Sequence, residues 1–262
     1  MLQYPNIDTV AIDLKFIQIH WYGISYLVGF LTAFLFGRIK AKNSKYCSPQ
    51  QFEDLLFYAA MGVIIGGRLG YCLFYNLAYA INNPLWIFKI WLGGMSFHGG
   101  LLGVLIACWL WCHNNNKSFF SVTDFIAPLV PIGLFCGRIG NFINAELLGR
   151  ESNLPWAMIF PNDPHQLARH PSQLYQAIAE GLLLFVILWV YSLKFKPERA
   201  TSGWFLILYG SGRVITELFR APDEHIGFLY NNILTMGQLL SIPMIILGII
   251  LVASTKHRTP VN

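Results

Sequence analysis

Seven apolar runs divide this chain, each close to the ~20 residues a helix needs to cross the hydrocarbon of a bilayer. They fall near 16–37, 54–75, 95–113, 122–143, 173–193, 203–220 and 234–253. Inside lipid every backbone N–H and C=O must find a partner within the protein, so such runs can only be built as helices. Composition agrees: of 262 residues, 55% are hydrophobic and 12% charged, against about 25% charged in an average soluble domain. The expectation is an all-α polytopic membrane protein, a single integral-membrane domain over 1–262 with seven transmembrane helices. Pro128, Pro131 and Pro243 lie within runs, where neighbouring helices can satisfy the freed backbone groups.

The gaps between runs set an orientation. Arg38, Lys40, Lys42, Lys45, Lys117, Lys194, Lys196, Arg199, Lys256 and Arg258 fall on one side, ten in all, against five on the other: Lys15, Lys89, Arg150, Arg169 and Arg220. The positive-inside rule then places the N-terminus outside and the C-terminus in the cytoplasm. The net charge of +5 is clustered in these gaps, which argues against nucleic acid as a partner. The first run starts near Phe16 with no basic segment before it and is too long for a signal-peptide core. The five cysteines are scattered, mostly in apolar runs, and suggest neither a disulfide framework nor a zinc site. Two outer gaps exceed a turn. Residues 84–92 are apolar and aromatic but too short to span, as an interfacial segment would be. The 151–172 segment carries Pro155, Pro161, Pro164 and Pro171, which predicts a compact irregular lobe on the outer face.

A few polar groups stand inside the runs. Arg138 opens the stretch Gly137-Arg138-Ile139-Gly140-Asn141-Phe142-Ile143-Asn144-Ala145-Glu146-Leu147-Leu148-Gly149-Arg150. An arginine in a span costs roughly 2.5–3.5 kcal/mol on translocon scales, and Asn141 falls on its helical face. Arg213 belongs to a second polar stripe, Tyr209, Arg213, Glu217 and Arg220, in which Glu217 can pair with either arginine. That stripe is either a self-satisfied ion-pair ladder or a ligand site. His98 lies among glycines at the outer start of the third run; it suits a general base as well as a hydrogen-bonded core group. Arg68 follows Gly66-Gly67 and has two readings, contact with anionic lipid or pairing with a carboxylate. Tyr26 can point its hydroxyl into the bundle or pack in the core. Gly62/Gly66/Gly70, Gly99/Gly103 and Gly133/Gly137, spaced by four, predict close helix packing.

The spans hold few acidic groups and no metal-ligand spacing, and Gly210-Ser211-Gly212 lacks the pattern of a nucleophile turn. An ion-coupled transporter would more often carry acidic relays and inverted repeats. The residues alone therefore point to an intramembrane site, open to the outer leaflet, that binds an anionic headgroup through Arg138 and Arg213. A lipid or anion transporter using the same arginines is the competing reading.

Over essentially its whole length the sequence resembles the bacterial phosphatidylglycerol–prolipoprotein diacylglyceryl transferases. The Gly137–Arg150 stretch is similar to their diagnostic motif in full. His98-Gly99-Gly100, His170-Pro171-Ser172-Gln173-Leu174-Tyr175 and Arg213…Glu217…Arg220-Ala221-Pro222-Asp223 follow in the family's order. The resemblance implies transfer of a diacylglyceryl group from phosphatidylglycerol to the lipobox cysteine of a preprolipoprotein, with glycerol phosphate released. It implies no cofactor and no metal; the partners are phosphatidylglycerol, lipobox-bearing signal peptides and membrane lipids. It also implies His98, Arg138 and Arg213 as catalytic residues, and Tyr26, Asn141, Glu146, Gly149, Tyr209, Glu217 and Arg220 as substrate-binding residues. Whether His98 takes the thiol proton or arginine electrostatics suffice is left open by the residues.

Overall fold

The computed structural model describes residues 2–5, 7–15, 18–44, 46–222, 227–229 and 234–255. Phe16, Lys45, Asp223, Lys256 and Arg258 lie outside the described residues. In chain order the elements are β1 (Leu2–Gln3), β2 (Val10–Asp13), β3 (Gln18–His20), α1 (Trp21–Lys42), α2 (Pro49–Phe74), α3 (Leu77–Asn82), α4 (Phe97–Asn114), α5 (Phe119–Ile126), α6 (Val130–Ile143), β4 (Met158–Ile159), β5 (Ala168–Arg169), α7 (Ser172–Gln176), α8 (Leu184–Ser192), α9 (Ala200–Thr216) and α10 (Met236–Ala253). A π-helical stretch, Ala177–Leu183, joins α7 to α8.

The protein is predominantly helical. Among the described residues four helical segments are long and apolar enough to cross a membrane: Trp21–Lys42, Pro49–Phe74, Ser172–Ser192 and Met236–Ala253. Phe119–Ile126 and Val130–Ile143 make a fifth if counted as one span, bent by 45°. The bend falls at Pro128 and Pro131, which cannot donate backbone hydrogen bonds.

Several sequence-based boundaries move. The first helix covers 21–42 rather than 16–37. Residues 18–20 instead pair antiparallel with 10–13, and Lys40 and Lys42 join the last helical turn, where positive charge suits the helix dipole. The sixth run stops being helical at Thr216, so Arg220 leaves the helix and bridges to Gly149. The expected all-α chain also carries short strands. The lobe is not irregular throughout, because β1 pairs parallel with β4, and β4 antiparallel with β5.

The chain forms two compact units, residues 37–122 and residues 1–36 with 123–262. In the unit 37–122, α2 packs on α4 through a glycine seam. A Cβ on Gly70 would lie 2.7 Å from the Gly99 Cα, and one on Gly66 would lie 2.7 Å from the Gly103 Cα. Ser48 and Gln51 close a capping box at the start of α2, and the Ser96 hydroxyl accepts from Gly99 N at the start of α4. In the other unit, α9 packs on α10, and α6 packs on the α7–π–α8 helix. The Gly133/Gly137 pair does not mark such a seam. A Cβ on Gly133 would meet nothing within 4 Å, and one on Gly137 would face the Tyr26 hydroxyl at 3.7 Å.

The lobe is tied to the end of α6. The Tyr4 hydroxyl donates to the carbonyls of Phe142 (2.6 Å) and Ile143 (2.9 Å), and Asn162 Nδ2 donates to the Asn144 carbonyl at 2.9 Å. These bonds satisfy carbonyls that a helix end leaves without partners. Within the lobe, buried Asp163 accepts from Arg169 Nε at 2.7 Å and Nη2 at 3.0 Å, while Arg169 Nη1 donates to the Gly149 carbonyl at 3.2 Å.

Candidate functional site

Arg138 stands on α6 and Arg213 on α9, and both face one carboxylate, Glu180, in the π-helical stretch between α7 and α8. Arg138 Nη2 lies 3.7 Å from Glu180 Oε2, and Arg213 Nη1 lies 3.5 Å from Oε1. The Glu180 side chain is fully buried, whereas Arg138 and Arg213 keep 18% and 13% of their side-chain surface exposed. The Thr216 hydroxyl donates to Glu180 Oε1 at 2.6 Å and fixes the carboxylate from the last turn of α9.

The network extends in both directions. Arg213 Nη2 pairs with Glu217 Oε1 at 2.6 Å, Arg220 Nη1 approaches the same oxygen at 3.0 Å, and the Thr235 hydroxyl donates to Glu217 Oε2 at 2.8 Å. Toward the lobe, Arg138 Nη1 donates to Asn141 Oδ1 at 3.4 Å. Asn141 Nδ2 in turn donates to Glu146 Oε2 at 3.3 Å, and Asn144 Nδ2 to Glu146 Oε1 at 3.0 Å. Tyr209, one turn before Arg213, interacts electrostatically with Glu180, Arg213 and Arg138. Glu217 therefore serves both arginines at once, where the sequence left the choice open.

Gly149 has a specific steric reason. A Cβ there would run into the backbone carbonyl of His170, so only glycine lets the strand carrying Arg150 pass beside it. Arg150 then donates from Nε to the Arg220 carbonyl (3.1 Å) and from Nη2 to the Glu217 carbonyl (3.2 Å). Ala145 and Leu147 adopt positive φ (52° and 56°), and these two reversals carry the chain from α6 to Gly149. The rings of His170 and Phe219 meet with centroids 5.2 Å apart, and burial lowers the His170 pKa.

Tyr26 pairs its hydroxyl with that of Tyr22 at 3.1 Å and is 54% exposed. Tyr22 interacts in turn with Asn141 and Glu146. His98 belongs to the unit 37–122, where it is exposed in the first turn of α4. Arg68 fits neither of its sequence readings. It is buried and donates to four backbone carbonyls: Ile87 (3.0 Å), Trp86 (2.7 Å), Gly93 and Gly94 (3.2 Å). It also sits 4.3 Å from the Trp86 ring centre. Its role is to pin the 84–94 segment, which folds as two short 3-10 turns.

The sequence pattern of the prolipoprotein diacylglyceryl transferase family matches residues 9–254. Relatives named phosphatidylglycerol–prolipoprotein diacylglyceryl transferase share high identity over nearly full length. The protein of Ectopseudomonas mendocina (strain ymp) is 56% identical, covering 100% of this chain and 99% of the relative. That of Marinomonas sp. (strain MWYL1) is 53% identical, covering 99% and 97%. That of Acinetobacter baylyi is 51% identical, covering 95% and 92%. The chain belongs to the prolipoprotein diacylglyceryl transferase family. In this family member, Glu180, which faces both arginines, is absent from the sequence-based candidates. Its signal was the spacing of Gln173, Gln176 and Glu180 by three and four along an otherwise apolar helix.

Proposed function

We propose that this chain transfers the diacylglyceryl group of phosphatidylglycerol to the lipobox cysteine of a preprolipoprotein. The cysteine sulfur attacks the glyceryl carbon that bears the phosphate. A C–S bond forms, the C–O bond to phosphate breaks, and its electron pair leaves on the phosphate oxygen as glycerol phosphate. The thiol proton passes to a base. The products are a thioether and glycerol phosphate, and the step balances without a redox partner.

The observation that carries this reading is the arginine pair: Arg138 and Arg213 converge on Glu180 at 3.7 and 3.5 Å, and both side chains stay partly exposed. Both guanidiniums therefore keep N–H groups for the phosphate oxygens. In a water-poor site they stabilise the charge that develops on the leaving group. Asn141, Tyr209, Glu217 and Arg220 hold the pair in place, Glu146 anchors Asn141, and Gly149 leaves space for the backbone that carries Arg150. Tyr26 presents its hydroxyl beside Gly137. An apolar cavity of about 140 Å³ between α1, α6 and the π stretch, lined by Phe36, Ile132, Phe135 and Phe185 among others, suits part of an acyl chain.

His98 is our candidate for the base. A thiol titrates near 8.5 when free, so it must give up its proton before it attacks. We read the topology as seven crossings of the bacterial inner membrane, with α4 and α9 as the remaining two. The N-terminus and the 151–172 lobe are periplasmic and the C-terminus cytoplasmic, supported by the ten-to-five distribution of basic residues.

The test incubates purified protein with phosphatidylglycerol and a lipobox peptide. The peptide gains the mass of a diacylglyceryl group, and a peptide with serine in place of cysteine gains nothing. Absence of that gain with phosphatidylglycerol present would overturn the proposal.

A further inference from the structure

Glu180 is a charge that a phosphate site does not require. A buried carboxylate beside two arginines weakens their hold on any anion. Yet it is fully buried on an apolar helix, fixed by Thr216, and held where a π-helical stretch places it. Such stretches recur at functional sites. Because Glu180 has no exposed surface while both arginines do, a ligand meets the arginines and not the carboxylate. Glu180 acts through them, as a positioning residue.

The charges at the site can be counted. Arg138, Arg213 and Arg220 face Glu180 and Glu217, leaving one positive charge. The next charges outward, Arg150 and Glu146, cancel each other, so the sum among the described residues stays at one. A phosphodiester carries a single negative charge. A phosphomonoester carries about 1.5 to 2 at pH 7, because its second pKa lies near 6.

We infer that Glu180 sets the site to one positive charge, so that it matches the phosphodiester substrate and expels the phosphomonoester product. This rests on the function proposed above. Before transfer, the bound headgroup neutralises the site. After the C–O bond breaks, glycerol phosphate brings a second negative charge that nothing at the site compensates, and repulsion from Glu180 and Glu217 favours its release.

The test uses the full-length protein and two water-soluble probes, read by titration calorimetry at pH 8. Glycerophosphoglycerol is the diester and glycerol phosphate the monoester. Wild-type protein binds the diester at least as tightly as the monoester. In Glu180→Gln the affinity for glycerol phosphate rises at least tenfold, the diester changes less, and the preference reverses. Glu180→Asp, which keeps the charge, retains the wild-type order. A wild-type preference for the monoester overturns the inference without any variant, and so does an unchanged order in folded Glu180→Gln. Failure of wild-type protein to lipidate the peptide strikes the proposed function instead, which separates the two.

Discussion

Arg68 and the Arg138–Arg213 pair are all arginines in apolar helices, yet their surroundings differ in kind. Arg68 is enclosed by four backbone carbonyls and an indole face. Its donors are taken up by the chain itself, and what it achieves is the shape of the 84–94 segment. Arg138 and Arg213 face carboxylates instead, partly at distances beyond a hydrogen bond, and remain partly open. An intramembrane arginine whose donors are saturated by backbone is a structural pin. One that faces buried carboxylates and stays partly open is, on the function proposed above, prepared for a ligand.

The largest expected effect tests whether the unit holding Arg68 is scaffold alone. His98 lies in that unit, so His98→Gln, which keeps the polar shape but removes the base, is expected to cut turnover by roughly 10²–10⁴. Near-normal turnover by folded His98→Gln would reduce the unit's part to positioning. Next come Arg138→Lys and Arg213→Lys. Each keeps a positive charge and loses the planar fork that can hold two phosphate oxygens. The expected loss is on the order of 3 kcal/mol, about a hundredfold in thioether formation, with the protein still folded. Wild-type rates in these variants would show that charge alone suffices and erase the contrast with Arg68.

Arg68→Lys should read out differently. A lysine cannot reach all four carbonyls, and each buried group left unpaired costs about 1–3 kcal/mol. The expectation is a lowered melting temperature, equivalent to about 2 kcal/mol, with activity per folded molecule close to wild type. A selective loss of lipid affinity at unchanged stability would put Arg68 with the other two. The smallest effect concerns Arg169, an arginine outside the helices. Its hydrogen bonds hold the Asp163 carboxyl at about 2, below the ordinary 3.8. A depressed carboxylate pKa stabilises the fold above the unfolded value, and that stability fades as pH falls from near 4 through 2. Acid titration of lobe structure by circular dichroism should show this loss, and Asp163→Asn should abolish that part of the pH dependence. An identical acid profile in the variant would remove Asp163 as the cause.

Much of this contrast was legible in the sequence. The apolar runs, the arginines within them and the Tyr209–Arg213–Glu217 stripe follow from spacing alone, and the glycines of α2 and α4 form the seam their period of four suggests. What was hidden depended on partners distant in the chain. Glu180 reads as a lone acid, because Arg138 and Arg213 lie 42 and 33 positions away and only the packing of α6 and α9 brings them to it. The environment of Arg68 was illegible because backbone carbonyls are present at every residue and leave no compositional trace. The first helix began late for a related reason: Gln18–His20 is claimed by pairing with Val10–Asp13, an interaction that an apolar average over the run does not register.

The π-helical stretch between α7 and α8 has a consequence for how this helix can change. A wider turn shifts the phase between the parts of a helix on either side of it. The wider turn absorbs one extra residue, so removing a residue from 177–183 would restore regular winding while the two halves keep nearly their present phase. The same residues wound as a regular helix throughout would instead turn the Gln173–Glu180 half relative to Leu184 and Leu188, which are packed in the core. The helix thus behaves as two cylinders on one shaft, with a slipped tooth between them. One half is indexed to hydrophobic packing and the other to the arginines, and the wider turn lets both settings hold along one helix.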